Sequence, residues 1–342
     1  MEDIIWNFIK YLIFPGVLFA VFFGFFVQWL DRKFYARGQQ RVGPPLTQPI
    51  WDFVKLLAKR DDPPDGASVE FQLIPPLMVL LALFTAVLIP VYGFGSSAIA
   101  FHGDLFFILF LLALHGALVF LLGWSAKSPY SITGGSRAVL TEMSAELPFV
   151  LSMITPALIV GSFQITEISR GFWPAIFDLD EPMRLLYILP VLVSLVISII
   201  IMTALLEKPP FDPGHAETEI VMGWQTEVKG RSLALVNLAT DISTWVVAGL
   251  IATLYLSPFE FAFPGNEVAI LGKELDLLGI LAHFVWFLVT TSLVVMSFSL
   301  IRTSQSRLRI DQVVQYFWRI FLPVTLLAVT LVVLIGALIG GL

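Results

Sequence analysis

The sequence predicts an all-α, polytopic membrane protein with about eight transmembrane helices plus a cytoplasmic amphipathic helix, and three observations predict it. Hydrophobic residues make up 57% of the 342 and charged residues only 13%, roughly half the charge of a soluble domain. The mean hydropathy is +0.87. Apolar runs of about twenty residues, enough to cross about 30 Å of hydrocarbon as helix, recur from end to end. The period-two alternation of a membrane β-barrel is absent.

The runs place spans at about 11–30, 73–92, 105–124, 147–166, 185–206, 234–256, 278–301 and 319–341. The first lacks a small-residue cleavage site and reads as a retained helix rather than a signal peptide. No loop is long enough for a soluble domain, so 1–342 reads as a single integral membrane domain. Eight spans put both termini on one side. The odd-numbered loops and the edge at Arg319 hold sixteen of the twenty Lys and Arg, against Lys10, Arg170, Arg184 and Lys273 opposite. The positive-inside rule therefore puts the odd loops in the cytoplasm and both termini outside. The location expected is the plasma membrane of a prokaryote.

The outer loops (VYGFGSS, GFWPAIFDLDEP, SPFEFAFPGNE) read as plain connectors with aromatics at headgroup depth. Within the first cytoplasmic loop, 31–72, the stretch PIWDFVKLLAK puts Ile50, Phe53, Val54 and Leu57 on one helical face. Two readings fit it: an amphipathic helix on the membrane surface, or a loop helix packed against a partner.

Polar residues gather in two places. Glu142 and Glu146, in SRAVLTEMSAELP after the flexible-looking SITGGS, share a face at the cytoplasmic edge of the fourth span. Paired acids near a low dielectric can take up and release protons near neutral pH; alternatively they complement a helix N-terminus. The second place is the cytoplasmic loop 207–232, which begins EKPPFDPGHAETEIVMGWQTE. Pro209, Pro210 and Pro213 forbid a continuous helix, leaving Lys208, Asp212, His215, Glu217 and Glu219 on irregular backbone at the membrane edge. Such backbone lines a wet cavity or is buried in protein, and a solvated acidic loop is the bland alternative. Glu227 and Asp241 extend the polar path, Asp241 from inside a span, where a functional role or a structural ion pair both fit.

The remaining chemistry is sparse. With no cysteine, the chain supplies no thiolates to an iron–sulfur cluster and no disulfide. His115 and His283 lie in apolar runs and read as core hydrogen-bonding groups, with proton relay as the other reading; no histidine has metal-ligand spacing. No phosphate loop, nucleophile elbow or HExxH motif is present, and nothing points to nucleic acid. In the last cytoplasmic loop, Arg307, Arg309 and Asp311 fit membrane anchoring with a local ion pair.

Four segments in order, DRKFYARGQQRVGPP, SRAVLTEMSAELP, EKPPFDPGHAETEIVMGWQTE and RLRIDQ, resemble the membrane subunit that joins the hydrophilic and membrane arms of respiratory complex I and of energy-converting membrane-bound hydrogenases. The resemblance covers almost the whole chain. Its details are closer to the hydrogenase, formate hydrogenlyase and sulfane sulfur reductase side: Gly43-Pro44 runs directly into LTQP, shortening the loop that walls a quinone chamber, and His215 replaces an acid common in complex I.

The resemblance implies an ion-coupling path through Glu142, Glu146, Asp212, Glu217, Glu219, Glu227 and Asp241. It implies a cytoplasmic mouth and docking face at Arg37, Arg41, Lys208, His215, Arg307, Arg309 and Asp311. It also implies no cofactor in this chain and no catalysis by it alone. Iron–sulfur clusters, and a nickel–iron centre in hydrogenases, would sit in hydrophilic partner subunits fed by ferredoxin, with protons or sodium crossing in antiporter-like membrane subunits. Two other classes remain open: a purely structural anchor, and a standalone transporter, for which repeated halves and paired broken helices are missing.

Overall fold

The computed structural model describes residues 12, 16–91, 99–257 and 277–339, with backbone only at 217, 218, 277–282 and 339. The described residues are helical throughout, without strands. In chain order they form α1 (Val17–Gly38), α2 (Gln48–Leu57), α3 (Glu70–Leu88), α4 (Asp104–Ser125), α5 (Pro129–Val160), α6 (Ile165–Phe177) and α7 (Glu181–Leu205). Three short turns of helix follow at Pro213–His215, α8 (Glu217–Ile220) and Gly223–Gln225. The chain ends with α9 (Gly230–Tyr255), α10 (Leu277–Ser304), α11 (Ile310–Tyr316), a π-turn (Phe317–Phe321) and α12 (Leu322–Ile339).

Seven helical stretches among the described residues are long and apolar enough to cross a membrane, the last running from Ile310 to Leu338. The span expected at 11–30 lies partly outside the described residues. Its described part begins α1, which continues past the expected end to Gly38 and so keeps Asp31 and Arg32 on helix.

Helix α9 is the central post, buried along nearly its whole length and packed most closely on α3 and α1. Apolar transfer does little between helices in lipid, so close backbone approach and polar ties dominate. Gly24 of α1 lies against the Ile242 backbone of α9, leaving only tight space for a side chain. The Trp245 indole donates to the Ala20 carbonyl at 3.1 Å. On the other flank α5 packs on α4, α7 and α12.

Two expectations are corrected. The SITGGS stretch is not a flexible lead-in, because α5 begins at Pro129 and carries it as helix. The outer segment GFWPAIFDLDEP is more than a connector: its first part closes α6, whose Trp173 indole donates to the Tyr255 carbonyl at 3.1 Å. The other outer loops, at 92–98 and 258–276, lie outside the described residues. The amphipathic segment is helical as α2; Ile50 and Phe53 pack on the core, while Val54 and Trp51 stay exposed.

Candidate functional site

Helix periodicity builds the site. On α1, Gln28, Asp31, Arg32 and Tyr35 repeat at three- and four-residue intervals, and on α9 so do Asn237, Thr240, Asp241 and Thr244. Each set is therefore one polar stripe on an otherwise apolar helix. The two stripes, together with α4, α5, the end of α7 and the prolyl loop, enclose a cavity of about 470 Å³. Five acids (Asp31, Glu142, Glu207, Asp212, Asp241) and four bases (Arg32, Lys208, Arg302, Arg307) line it, with His115 and His215.

Some of these charges are fixed. Arg302 Nη1 reaches Asp31 Oδ2 at 2.5 Å, the Ser299 hydroxyl donates to Asp31 Oδ1 at 2.7 Å, and the Arg302 guanidinium lies 4.3 Å from the Tyr35 ring centre. Arg307 Nε stands 3.2 Å from Asp212 Oδ2. Arg32 turns to Asp52 of α2 at 2.8 Å, where Gln48 also donates. By contrast, Glu142, Glu207 and Asp241 have no guanidinium or ammonium within 4.0 Å among the described residues. Glu142 sits against α4 where Gly116 leaves room; a Cβ there would coincide with its carboxylate.

The prolyl loop is held by backbone contact. A Cβ on Gly134 would strike the backbone of Gly223 and Trp224, and one on Gly223 would strike the Gly214 carbonyl. The pair of glycines in SITGGS thus marks close approach, the other use of glycine besides freedom of turn. Leu308 N–H donates to the Pro210 carbonyl at 3.0 Å, tying the last cytoplasmic loop to this one. Phe211 packs its ring 5.1 Å from that of Phe317.

Within the loop the Trp224 indole donates to Glu207 Oε2 at 2.6 Å. His215 Nδ1 stands 3.3 Å from the same oxygen without hydrogen-bond geometry. Burial pushes the Glu207 carboxyl up to about 7, partly opposed by the Trp224 bond and Lys208 and assisted by Asp212. Burial, with Lys208 and Arg307 nearby, pushes His215 down to about 4. Burial also lowers Lys208, and Arg302 adds to that, against Asp31 and Asp241.

Of the expected residues, Glu142, Asp212, Asp241, Lys208, His215 and Arg307 meet in the cavity wall. Glu146, one turn from Glu142, is half-buried beside it, and Glu227 is half-buried outside it. Glu219 is exposed and pairs with Arg137 of α5 at 2.5 Å. The side chain of Glu217 lies outside the described ones. Arg37 and Arg41 are exposed beyond the cavity. Arg309 and Asp311 open α11, where Gln312 accepts the Arg309 N–H at 3.1 Å and Asp311 meets the helix N-terminus. Sequence reasoning passed over Asp31, Arg32, Glu207 and Arg302 as site residues; the two polar stripes were the signal for the first pair.

A family model described as NADH dehydrogenase matches residues 10–333. A membrane subunit of the NADH-quinone oxidoreductase of Syntrophobacter fumaroxidans is 30% identical over 318 residues, covering 88% of this chain and 87% of its own. The corresponding NADH-quinone oxidoreductase chain of Dehalococcoides mccartyi strain CBDB1 is 29% identical over 323 residues, covering 91% and 83%. Among solved structures, a chain of the membrane-bound sulfane sulfur reductase, an archaeal respiratory membrane complex, matches with a TM-score of 0.79. It is 23% identical and covers 95% of this chain and 99% of its own, a likeness of fold.

Proposed function

The chain belongs to the NADH dehydrogenase family, and from that membership we propose that it is the coupling subunit of a ferredoxin-linked complex of the hydrogenase or sulfane sulfur reductase type. It is a multi-pass membrane subunit of a complex I-like respiratory assembly. In the proposed role it carries no redox group. Iron–sulfur and hydrogenase-large-like subunits dock on its cytoplasmic loops, and antiporter-like subunits beside it move protons or sodium. Both termini face outward.

The observation that carries this reading is the cavity wall. Ligand pockets of this size are mostly apolar with a few polar groups. Here nine carboxylate, guanidinium and ammonium groups surround about 470 Å³, room for roughly fifteen waters at about 30 Å³ each. A prenylated quinone gains little from such a wall, whereas charge redistribution gains a great deal. A redox event in a docked subunit changes the field at the prolyl loop. Glu142, Glu207 and Asp241, lacking close bases, answer by exchanging protons, and coupled sites pass the change on. Glu146, Glu217, Glu219 and Glu227 extend that path toward the loop surface.

The second reading, a quinone-site subunit of an NADH:quinone oxidoreductase, draws on the names of the curated relatives. Purifying the native complex decides between them. Co-purifying iron–sulfur and antiporter-like chains, without bound quinone or sensitivity to quinone-site inhibitors, are expected. Nickel would mark a hydrogenase, and its absence sulfur chemistry. Bound quinone with inhibitor sensitivity overturns the first reading, and a chain that purifies alone with full transport overturns both.

A further inference from the structure

We infer that Glu207, held by the Trp224 indole and faced by the His215 imidazole, is the residue through which the prolyl loop exchanges protons with the central cavity. The inference rests on the coupling role proposed above and adds a residue to it.

Three geometric facts set Glu207 apart from its neighbours. Its side chain is only 12% exposed, yet it lines the cavity. The loop acid next to it, Asp212, is paired with Arg307 at 3.2 Å, whereas Glu207 faces a neutral indole donor and a titratable ring. Finally, Glu207 has φ of 49°, a left-handed backbone that a non-glycine residue adopts at a cost of about 1–2 kcal/mol. Strain of this kind persists where surrounding contacts impose it, and it gathers at sites of function.

His215 Nδ1 has no hydrogen-bond partner among the described residues, and its 3.3 Å distance to Glu207 Oε2 lacks bonding geometry. A small ring rotation with one proton between the two atoms closes that bond. The exchange is a plain proton transfer. The carboxylate takes a proton from a cavity water or from the imidazolium and later returns it to water, and no electrons move. The charges facing Glu207 are Lys208 and Asp212 on its own loop, Arg307 from the last cytoplasmic loop and Glu142 from α5, with His115 of α4 on the same cavity. Because Glu142 and Glu207 interact as like charges, a proton gained by one eases release from the other. That links the loop to the membrane interior.

The test is pH-titrated infrared difference spectroscopy on the whole purified complex, reading the carbonyl stretch of protonated carboxyl groups. One band titrating near pH 7 should vanish in Glu207→Gln. In Trp224→Phe, which removes a bond that favours the ionised form, the midpoint should rise and the band move to higher frequency. Glu167→Gln, at the other end of the helices, should leave the band in place. A band that persists in assembled Glu207→Gln, or is untouched by Trp224→Phe, overturns the inference. Ion transport on the same preparations separates it from the coupling role. If Glu207→Gln loses the band yet transport stays coupled to electron flow, the coupling role falls and the protonation assignment stands.

Discussion

Arg302 in the last turn of α10 closes on Asp31 in the middle of α1 at 2.5 Å, and both side chains are largely buried. Residues 271 apart in sequence thus pin two helices across the cavity rim. Removing one partner of a buried pair costs about 3–5 kcal/mol, because the other charge is left stranded. Asp31→Ala should therefore lower the thermal midpoint of the solubilised complex markedly. The double variant Asp31→Leu with Arg302→Met should recover most of the loss in a double-mutant cycle. Additive losses would show that the pair is not coupled.

Gly116→Ala should mimic Glu142→Gln. The added Cβ lands on the end of a flexible side chain, so the carboxylate is displaced while the helices stay packed. Ferredoxin-driven ion uptake by membrane vesicles is expected to fall several-fold in both variants, with assembly intact. Wild-type uptake in Gly116→Ala would remove Glu142 from the path.

Two glycines with left-handed backbone should respond differently to alanine. Gly66 (φ 85°) has nothing within 4 Å of an added Cβ, so Gly66→Ala carries only the conformational penalty of about 1–2 kcal/mol. Gly223 (φ 58°) would drive its Cβ into the Gly214 carbonyl. Gly223→Ala should free the prolyl loop, read as faster proteolysis at 207–229 than in Gly66→Ala.

The loop's pH response has opposing parts. Glu207 rises from 4.5 to about 7 on folding, so its contribution to stability is full below pH 4.5 and is lost as pH climbs toward 7. His215 falls from 6.5 to about 4, so its contribution is present above pH 6.5 and is lost as pH drops toward 4. Between about pH 4.5 and 6.5 the two slopes oppose. Thermal unfolding against pH should therefore steepen in one direction when either is removed. Glu207→Gln should leave a stability that rises from pH 4 to 6.5, and His215→Asn one that falls from 4.5 to 7.

The helices were legible because the bilayer demands one crude property, twenty apolar residues in a row. The expected spans at 105–124 and 185–206 meet the observed Asp104–Ser125 and Glu181–Leu205 within a few residues. Asp241 and the prolyl loop stood out for the inverse reason, ionisable groups where lipid discourages them. Asp31 and Arg32 did not, because they follow directly on an apolar run and read as the start of a charged loop. Only their spacing with Gln28 and Tyr35 betrayed a helix that continues. Arg302 was counted as a membrane anchor, and nothing local in one sequence says that its partner is Asp31. Gly134 read as slack for a similar reason: glycine serves a flexible turn and a tight contact equally, and the difference lies in what comes to rest against it.

The contact of Gly134, Gly214 and Gly223 joins main chain to main chain with no side chain between them. Rotameric side chains act as springs, absorbing displacement by changing χ angles, and here there are none to yield. Beside it, Arg137 and Glu219 fasten the loop's outer turn to the same helix. A push on the loop's exposed tip at Val221 and Met222 is therefore delivered to α5 as a push, undamped, within one turn of helix from Ala138. In mechanical terms the loop is a rigid lever whose fulcrum is glycine, and its working end is the helix that carries Glu142.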